Sequence, residues 1–326
     1  MEIKTLIDQM ILDAYRKQAA DIYVVPVANK YQVQFHLNNQ INPYQSVSRQ
    51  CGSKIVNYFK YNGNMLISEH RRPQIGAMEW RRGSAHCYLR FSTVGDFKSR
   101  EAIVVRLIYP LAVQSNQFLN PDQYEQLKRR TIQRGLMVFA GPTGSGKTTT
   151  IYQLAREYSS SQMVMSIEDP VEVYEPSFLQ LQVNSDADMS YQELLKVGLR
   201  NRPDIFIIGE IRDANTAQAA VQAALSGHLV LTTLHAKHPL GVVERLLNLG
   251  VGLDYLKQAL NMVAYQRLLQ TPDNGFAALL NTVTSEQIFE DALAPKAVLE
   301  CWQASLNQLV AQKQIMDSER ERIWHG

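Results

Sequence analysis

The sequence predicts an α/β protein: a larger domain on a mostly parallel sheet, preceded by a smaller α+β domain. Three observations carry this. Between residues 136 and 232, short continuous apolar runs alternate with helix-patterned segments, as strands buried on both faces require. A glycine-rich loop follows the first of those runs and opens a helix. Before about residue 115 some runs alternate apolar with polar, the period of half-buried strands.

The first domain, residues 1–115, opens with an amphipathic helix whose apolar stripe is Ile3, Leu6, Ile7, Met10, Ile11 and Ala14. Strands are expected at Ile22–Val25 and Tyr31–Leu37, a helix around Lys54–Tyr61, and strands at His86–Phe91 and Ala102–Ile108. Pro110 and the polar stretch Gln114-Ser-Asn-Gln117 read as a linker. The second domain, residues 116–270, begins at Asn120-Pro121, an N-cap followed by proline at the first helical position. Strands follow at Leu136–Ala140, Val164–Ile167, Ile205–Ile208 and Leu229–Thr232. Helices are expected at Lys147–Tyr158, Tyr191–Arg200, Asn215–Leu225, Leu240–Leu249 and Leu253–Gln266. Residues 271–326 read as a mostly helical extension with one strand candidate, Phe276–Leu280.

Composition narrows the function classes. Lys+Arg number 33 against 31 Asp+Glu, a net charge of +2, so bulk electrostatic binding to nucleic acid is not expected. Cys51, Cys87 and Cys301 form no CxxC pair, which fits ordinary thiols in a reducing cytosol. No stretch resembles a signal peptide and no apolar run reaches the length that spans a bilayer. A cytoplasmic chain is expected, reaching a membrane only through a partner.

The chemistry concentrates in Gly141-Pro-Thr-Gly-Ser-Gly-Lys-Thr148, which fits G-x-x-x-x-G-K-[ST]. Gly141, Pro142, Thr143, Gly144, Ser145 and Gly146 let successive backbone N–H groups face phosphate oxygens at a helix N-terminus. Lys147 is placed to bridge the β- and γ-phosphates, and the Thr148 hydroxyl to ligate Mg²⁺, with Thr149 continuing the phosphate-binding turn. Ligands of parallel sheets bind beyond the carboxyl ends of the strands, and three other strands end in polar residues. Glu168 and Asp169 follow one, Gly209 and Glu210 the next, Thr233 and His235 the third. Glu210 is the expected Mg²⁺-side carboxylate. Asp204 begins the same strand, about 20 Å from the productive edge at strand rise, and is assigned to the turn at Arg202-Pro203. Glu168 is the candidate for polarising the attacking water. His228 and His235, flanking one strand, are expected to sense the γ-phosphate or to contact Glu168. A guanidinium at the transferring phosphoryl group is also expected; pattern alone does not choose among Arg90, Arg106, Arg200 and Arg245.

Here the sequence resembles the secretion ATPase superfamily of type II secretion, type IV pilus and competence-pilus motors, from about residue 15 to residue 270. Ile167-Glu-Asp-Pro-Val-Glu172 resembles its aspartate box, residues 199–213 its Walker B region, and residues 226–236 its histidine box. Ala20-Asp-Ile, Arg72-Pro-Gln-Ile-Gly76 and Gln266-Arg-Leu268 resemble further signatures of the family. The resemblance implies a RecA-like P-loop core after a PAS-like N-terminal domain, with ATP and Mg²⁺ as ligands. It implies that Glu168 is the catalytic carboxylate, Glu210 the Walker B glutamate, and His228 and His235 the histidine-box pair. It also implies that Arg90 and Arg106 reach the nucleotide, and it matches Arg245 to an arginine of retraction-type relatives. Two positions depart from the family: Tyr23 stands for a signature histidine, and Arg100 for a glycine.

The tetracysteine zinc module of many relatives is absent from the sequence, as is any long N-terminal docking domain, so the chain looks most like the competence-pilus ATPases of Gram-positive bacteria. The resemblance implies a hexameric motor on the cytoplasmic face of the membrane. It would act on a polytopic membrane platform protein to assemble a pilus for DNA uptake. The alternatives are a motor for pilus retraction or assembly and, in another class, a nucleic-acid-stimulated RecA-like ATPase. The near-neutral charge disfavours the latter.

Overall fold

A computed structural model describes residues 2–37, 40–111, 115–184, 187–273, 275–291 and 293–325. The chain divides into two compact units, residues 1–113 and 114–326.

The first unit runs α1 (Ile3–Arg16), β1 (Asp21–Val27), β2 (Lys30–Leu37), β3 (Gln40–Ser48), α2 (Arg49–Asn62), β4 (Gln74–Arg82), β5 (Ala85–Gly95) and β6 (Glu101–Ile108). Its six strands form an antiparallel sheet in the order β3-β2-β1-β6-β5-β4. Ile7, Met10, Ile11 and Ala14 of α1 are fully buried, and each of the three large ones contributes on the order of 2 kcal/mol. They share a core with Ile55, Val56 and Phe59 of α2 and with alternate strand residues: Ile22 and Val24, Val33 and Phe35, Leu89 and Phe91, Ile103 and Val105. Ser48 caps α2 by accepting from the Cys51 N–H. A Cβ at Gly52 would lie 2.2 Å from the Tyr31 ring, so α2 can seat on the sheet only with glycine there.

The strands not expected from sequence, β3 and β4, are the two edges of this sheet. β3 has no buried residue and carries Pro43, while β4 turns Gln74 and Gly76 inward and leaves Ile75 exposed, so neither shows a clear apolar–polar alternation in sequence. Gln74-Ile-Gly76, the end of the Arg72–Gly76 signature stretch, begins β4.

The second unit runs α3 (Pro121–Thr131), β7 (Gly135–Ala140), α4 (Lys147–Arg156), β8 (Val164–Glu168), β9 (Leu179–Gln182), α5 (Tyr191–Arg200), β10 (Ile205–Glu210), α6 (Ala214–Leu225) and β11 (Leu229–Leu234). It continues with α7 (Leu240–Asn248), α8 (Leu253–Ala259), β12 (Leu260–Gln270), β13 (Phe276–Thr284), α9 (Ser285–Phe289), α10 (Pro295–Ala311) and α11 (Asp317–Arg322). The sheet order is β13-β12-β7-β11-β10-β8-β9, and only the β12–β13 pair is antiparallel. Asn120 caps α3 by accepting from the Asp122 N–H, with Pro121 in the first turn. β7, β8 and β11 are buried along nearly their whole length, as continuous apolar runs between helices require.

The helix expected over Leu253–Gln266 is corrected: α8 ends at Ala259 and β12 begins at Leu260. Leu260 to Gln266 are all buried, and a stretch buried on every side carries no period that separates helix from strand. Asn261 within it donates to the carbonyls of Arg130 (2.9 Å) and Arg134 (2.6 Å), fixing the strand beside the start of β7. The strand register then sets Tyr265 opposite Ala140 and brings Gln266 level with the loop after β7. Within residues 271–326, β13 extends this sheet, and Trp302 of α10 stacks edge-on against Tyr265 while donating to the Ile323 carbonyl at 2.9 Å.

Candidate nucleotide site

The phosphate loop leaves β7 at Ala140 and enters α4 at Lys147. Gly141 takes φ +140°, and a Cβ there would stand 2.3 Å from the Gln266 carbonyl oxygen, so β12 can approach this close only with glycine. Two carboxamides brace the loop from behind. Gln266 Nε2 donates to the Ser145 carbonyl at 2.7 Å, and Asn116 Nδ2 to the Gly146 carbonyl and the Thr150 hydroxyl, both at 2.8 Å. Asn116 belongs to the stretch read as linker; its backbone N–H and carbonyl both bond the Gln153 side chain of α4. Lys147 is buried, and its Nζ donates to the carbonyls of Gly141 (3.0 Å) and Pro142 (2.8 Å). Burial lowers the affinity of this amine for its proton, while Glu172 and Glu210 oppose that shift. Ser145 Oγ and Gln266 Oε1 are buried without a hydrogen-bond partner among the described residues.

Because β7, β8, β10 and β11 run parallel, their carboxyl ends share the edge that carries this loop. Glu210 lies there, half-buried, its carboxyl held below the usual range by a hydrogen bond from Arg212, with His235 and Lys147 adding to the effect. Arg212 also reaches Asp169 at 4.0 Å, tying the end of β10 to the residue after β8. Glu168 is at the same edge but only 3% exposed. The Tyr152 hydroxyl donates to its Oε1, and burial pushes its pKa up to about 7 despite hydrogen bonds from Tyr152, Ser166 and the Glu172 N–H. Glu172, four residues on, is solvent-exposed, and its Oε2 accepts from the Thr148 hydroxyl at 3.4 Å. Glu172 and Arg212 were not singled out as candidates from sequence. The signals were there, inside the aspartate-box stretch and two residues after Glu210, but pattern cannot say which of two glutamates four apart faces solvent.

The histidine expectation is corrected in one half. His235 follows β11 at the phosphate edge and is exposed. His228 precedes β11, where its carbonyl accepts from the Gly135 N–H at the start of β7 and its ring bonds the Ala223 carbonyl at 3.0 Å. It therefore lies on the opposite rim, a strand length of about 20 Å from the loop. Asp204 is on that rim too, accepting from the Met163 N–H and pairing with Arg134 at 3.6 Å. Arg245 is exposed on α7. In the first unit Arg90 and Arg106 are cross-strand neighbours on β5 and β6. Arg106 Nε donates to the buried Asp21 carboxylate at 2.9 Å, which His36 meets from β2 at 3.3 Å. Of the two departures from family pattern, Tyr23 packs edge-on against His36, and Arg100 bonds Asp96 and the Ala28 carbonyl.

A magnesium-bound triphosphate fits this donor set. A lysine held only by loop carbonyls, a serine hydroxyl without a partner, a threonine hydroxyl and two carboxylates surround one helix N-terminus. A family model described as "Type II/IV secretion system protein" matches residues 1–323. The chain belongs to that family. Within it, the competence protein ComGA of Streptococcus pneumoniae is 40% identical over 267 residues, covering 82% of this chain and 85% of that protein. ComGA of Bacillus subtilis is 34% identical, covering 82% and 76%. The type II secretion system protein E of Dickeya dadantii is 35% identical over 82% of this chain, which spans only 54% of that longer relative. Among solved structures, the Legionella pneumophila ATPase DotB superposes with a TM-score of 0.75 at 20% identity, covering 98% of this chain and 95% of DotB. The pilus retraction motor PilT, solved with bound ADP, gives 0.70 at 21%, covering 97% and 96%. The fold these proteins share with the second unit is RecA-like.

Proposed function

We propose that this secretion-family chain is an ATP-hydrolysing motor that assembles a competence pilus for DNA uptake, working as a homohexamer against a polytopic membrane protein at the cytoplasmic face. Two things support the reading: the kinship with competence proteins over most of their length, and the convergence of Lys147, Thr148, Glu172, Glu210 and His235 on one sheet edge. No helix among the described residues is long and apolar enough to cross a membrane, so the link to the membrane is assigned to the partner.

Bound Mg²⁺ supplies charge neutralisation at the phosphates; the chain supplies the rest. Lys147 would exchange the carbonyls of Gly141 and Pro142 for phosphate oxygens, and because it is buried its charge would be worth more there than on an exposed side chain. Thr148 and Glu210 take the metal side, with Glu210 kept ionised by Arg212. Glu172 is the acid that orients and polarises the attacking water, because it is exposed and in reach of Thr148, whereas Glu168 is enclosed. His235 senses the γ-phosphate beside Glu210, and Arg90 and Arg106 serve as guanidinium donors.

Phosphate release by the purified chain tests this. Lys147→Ala is expected to lose nucleotide binding together with turnover. Glu172→Gln is expected to bind nucleotide but hydrolyse it at least about 100-fold more slowly. Near-normal release by both variants would refute the reading.

A further inference from the structure

The segment between β8 and β9, which carries Glu172, is held almost entirely by side chains. The Val171 N–H donates to Gln182 Oε1 at 3.3 Å and the Glu175 N–H to Gln180 Oε1 at 2.9 Å, while Gln180 Nε2 donates to the Val173 carbonyl at 2.8 Å. The Glu172 N–H itself goes to the Glu168 carboxylate. Gln180 and Gln182 alternate along β9, so both turn to the same side, and Glu168 ends the neighbouring strand. A loop whose backbone is fixed by three amide or carboxyl side chains keeps one conformation without a ladder of its own.

Glu168 is the centre of this arrangement. It is 3% exposed, and burying a carboxyl is costly unless donors meet it. Here Tyr152, Ser166 and the Glu172 N–H do so, and Gln180 Nε2 in turn holds the Tyr152 hydroxyl at 2.8 Å. Room is left by Gly209: a Cβ there would come within 3.1 Å of Glu168 Cγ, so Glu168 packs against the backbone just before Glu210. Tyr152 is one helical turn after Thr148 on α4. The same helix therefore touches Glu168 through Tyr152 and Glu172 through Thr148, two glutamates four residues apart.

We propose that Glu168 is a positioning residue: bound to Tyr152 and to the Glu172 N–H, it fixes the loop so that the Glu172 carboxylate is delivered beside Thr148. This rests on the reading of Glu172 as the water-polarising acid. A small displacement of such an acid costs rate without costing nucleotide affinity, since the phosphates are gripped by the loop after β7.

The test is single-turnover and steady-state ATP hydrolysis, with nucleotide affinity, by the full chain carrying Glu168→Gln, Glu172→Gln or both. Glu168→Gln is expected to lower kcat about tenfold with KM and nucleotide affinity unchanged, and to add no loss in the Glu172→Gln background. Wild-type kcat in Glu168→Gln, or the same tenfold loss on top of Glu172→Gln, would overturn the proposal while leaving the role of Glu172 intact. Normal turnover in Glu172→Gln, by contrast, removes the reading beneath it. Abolished turnover in Glu168→Gln with activity kept in Glu172→Gln makes Glu168 the acid itself and overturns both. Should Glu168→Gln not melt cooperatively, Gln182→Ala decides. It deletes only the acceptor of the Val171 N–H, and a fall of a few fold in kcat at constant KM supports the positioning, whereas an unchanged kcat sinks it.

Discussion

The two sheets present their candidate functional side chains differently, one on a face and the other at strand ends. In the antiparallel sheet of the first unit they form a row across four strands, His36, Asp21, Arg106 and Arg90, on the face opposite Ile22 and Val105 of the core. In the parallel sheet of the second unit they stand at strand ends: Lys147 after β7, Glu168 at the end of β8 and Glu172 beyond it, Glu210 at the end of β10, His235 after β11. The difference follows from what covers each sheet. Helices on one face leave the other for cross-strand pairs, whereas a parallel sheet buried on both faces has only its edges to offer.

Three measurements break or sharpen that contrast. The largest effect concerns the carboxyl enclosed at the end of β8. Glu168 has its pKa raised to about 7 by burial, above the ordinary 4.5, so its unfolded form ionises first as pH rises. Its contribution to stability is thus fully present below about pH 4.5 and lost by about pH 7, a fall on the order of 3 kcal/mol. Denaturant titrations across that range are expected to show this slope in the wild type and lose it in Glu168→Gln; equal slopes would mean the carboxyl is not enclosed. The second concerns the open row. Arg106→Ala is expected to lower hydrolysis by roughly tenfold while leaving nucleotide affinity of the phosphate loop unchanged. A parallel loss of affinity, or no loss of rate, would count against a role for the row in turnover. The smallest compares the two rims of the parallel sheet. His228→Ala is expected to cost about 1 kcal/mol of stability from its bond to Ala223 and nothing in kcat, whereas His235→Ala lowers kcat. The reverse result in paired phosphate-release assays would contradict the rim assignment.

Much of the fold was legible because local signals and global structure agree. The continuous runs at 136–140, 164–167, 205–208 and 229–232 are central parallel strands, and the stripe Ile7-Met10-Ile11-Ala14 is the buried face of α1. What escaped notice lacks a one-dimensional signal. β3, β4 and β9 are edge strands, half-exposed and rich in polar residues, and β12 is so evenly apolar that strand and helix look alike. Within the site, the phosphate loop was readable because its geometry is written in consecutive residues. Which of Glu168 and Glu172 is enclosed was not, since pattern does not show which of two glutamates four residues apart is turned inward. His228 was misplaced because it precedes its strand, on the opposite rim from the strand's carboxyl end.

By itself the sequence determined the phosphate loop, the order of the parallel strands' polar ends and the family, since each depends on residues adjacent in the chain or on short apolar runs. Tertiary structure alone decided which acid is enclosed and which is presented. It also decided that Gln266 and Asn116 brace the loop and that Asp21 holds Arg106. Those outcomes depend on burial and on partners distant in sequence, from the 16 residues between Tyr152 and Glu168 to the 121 between Ser145 and Gln266, and local propensity carries no information about either.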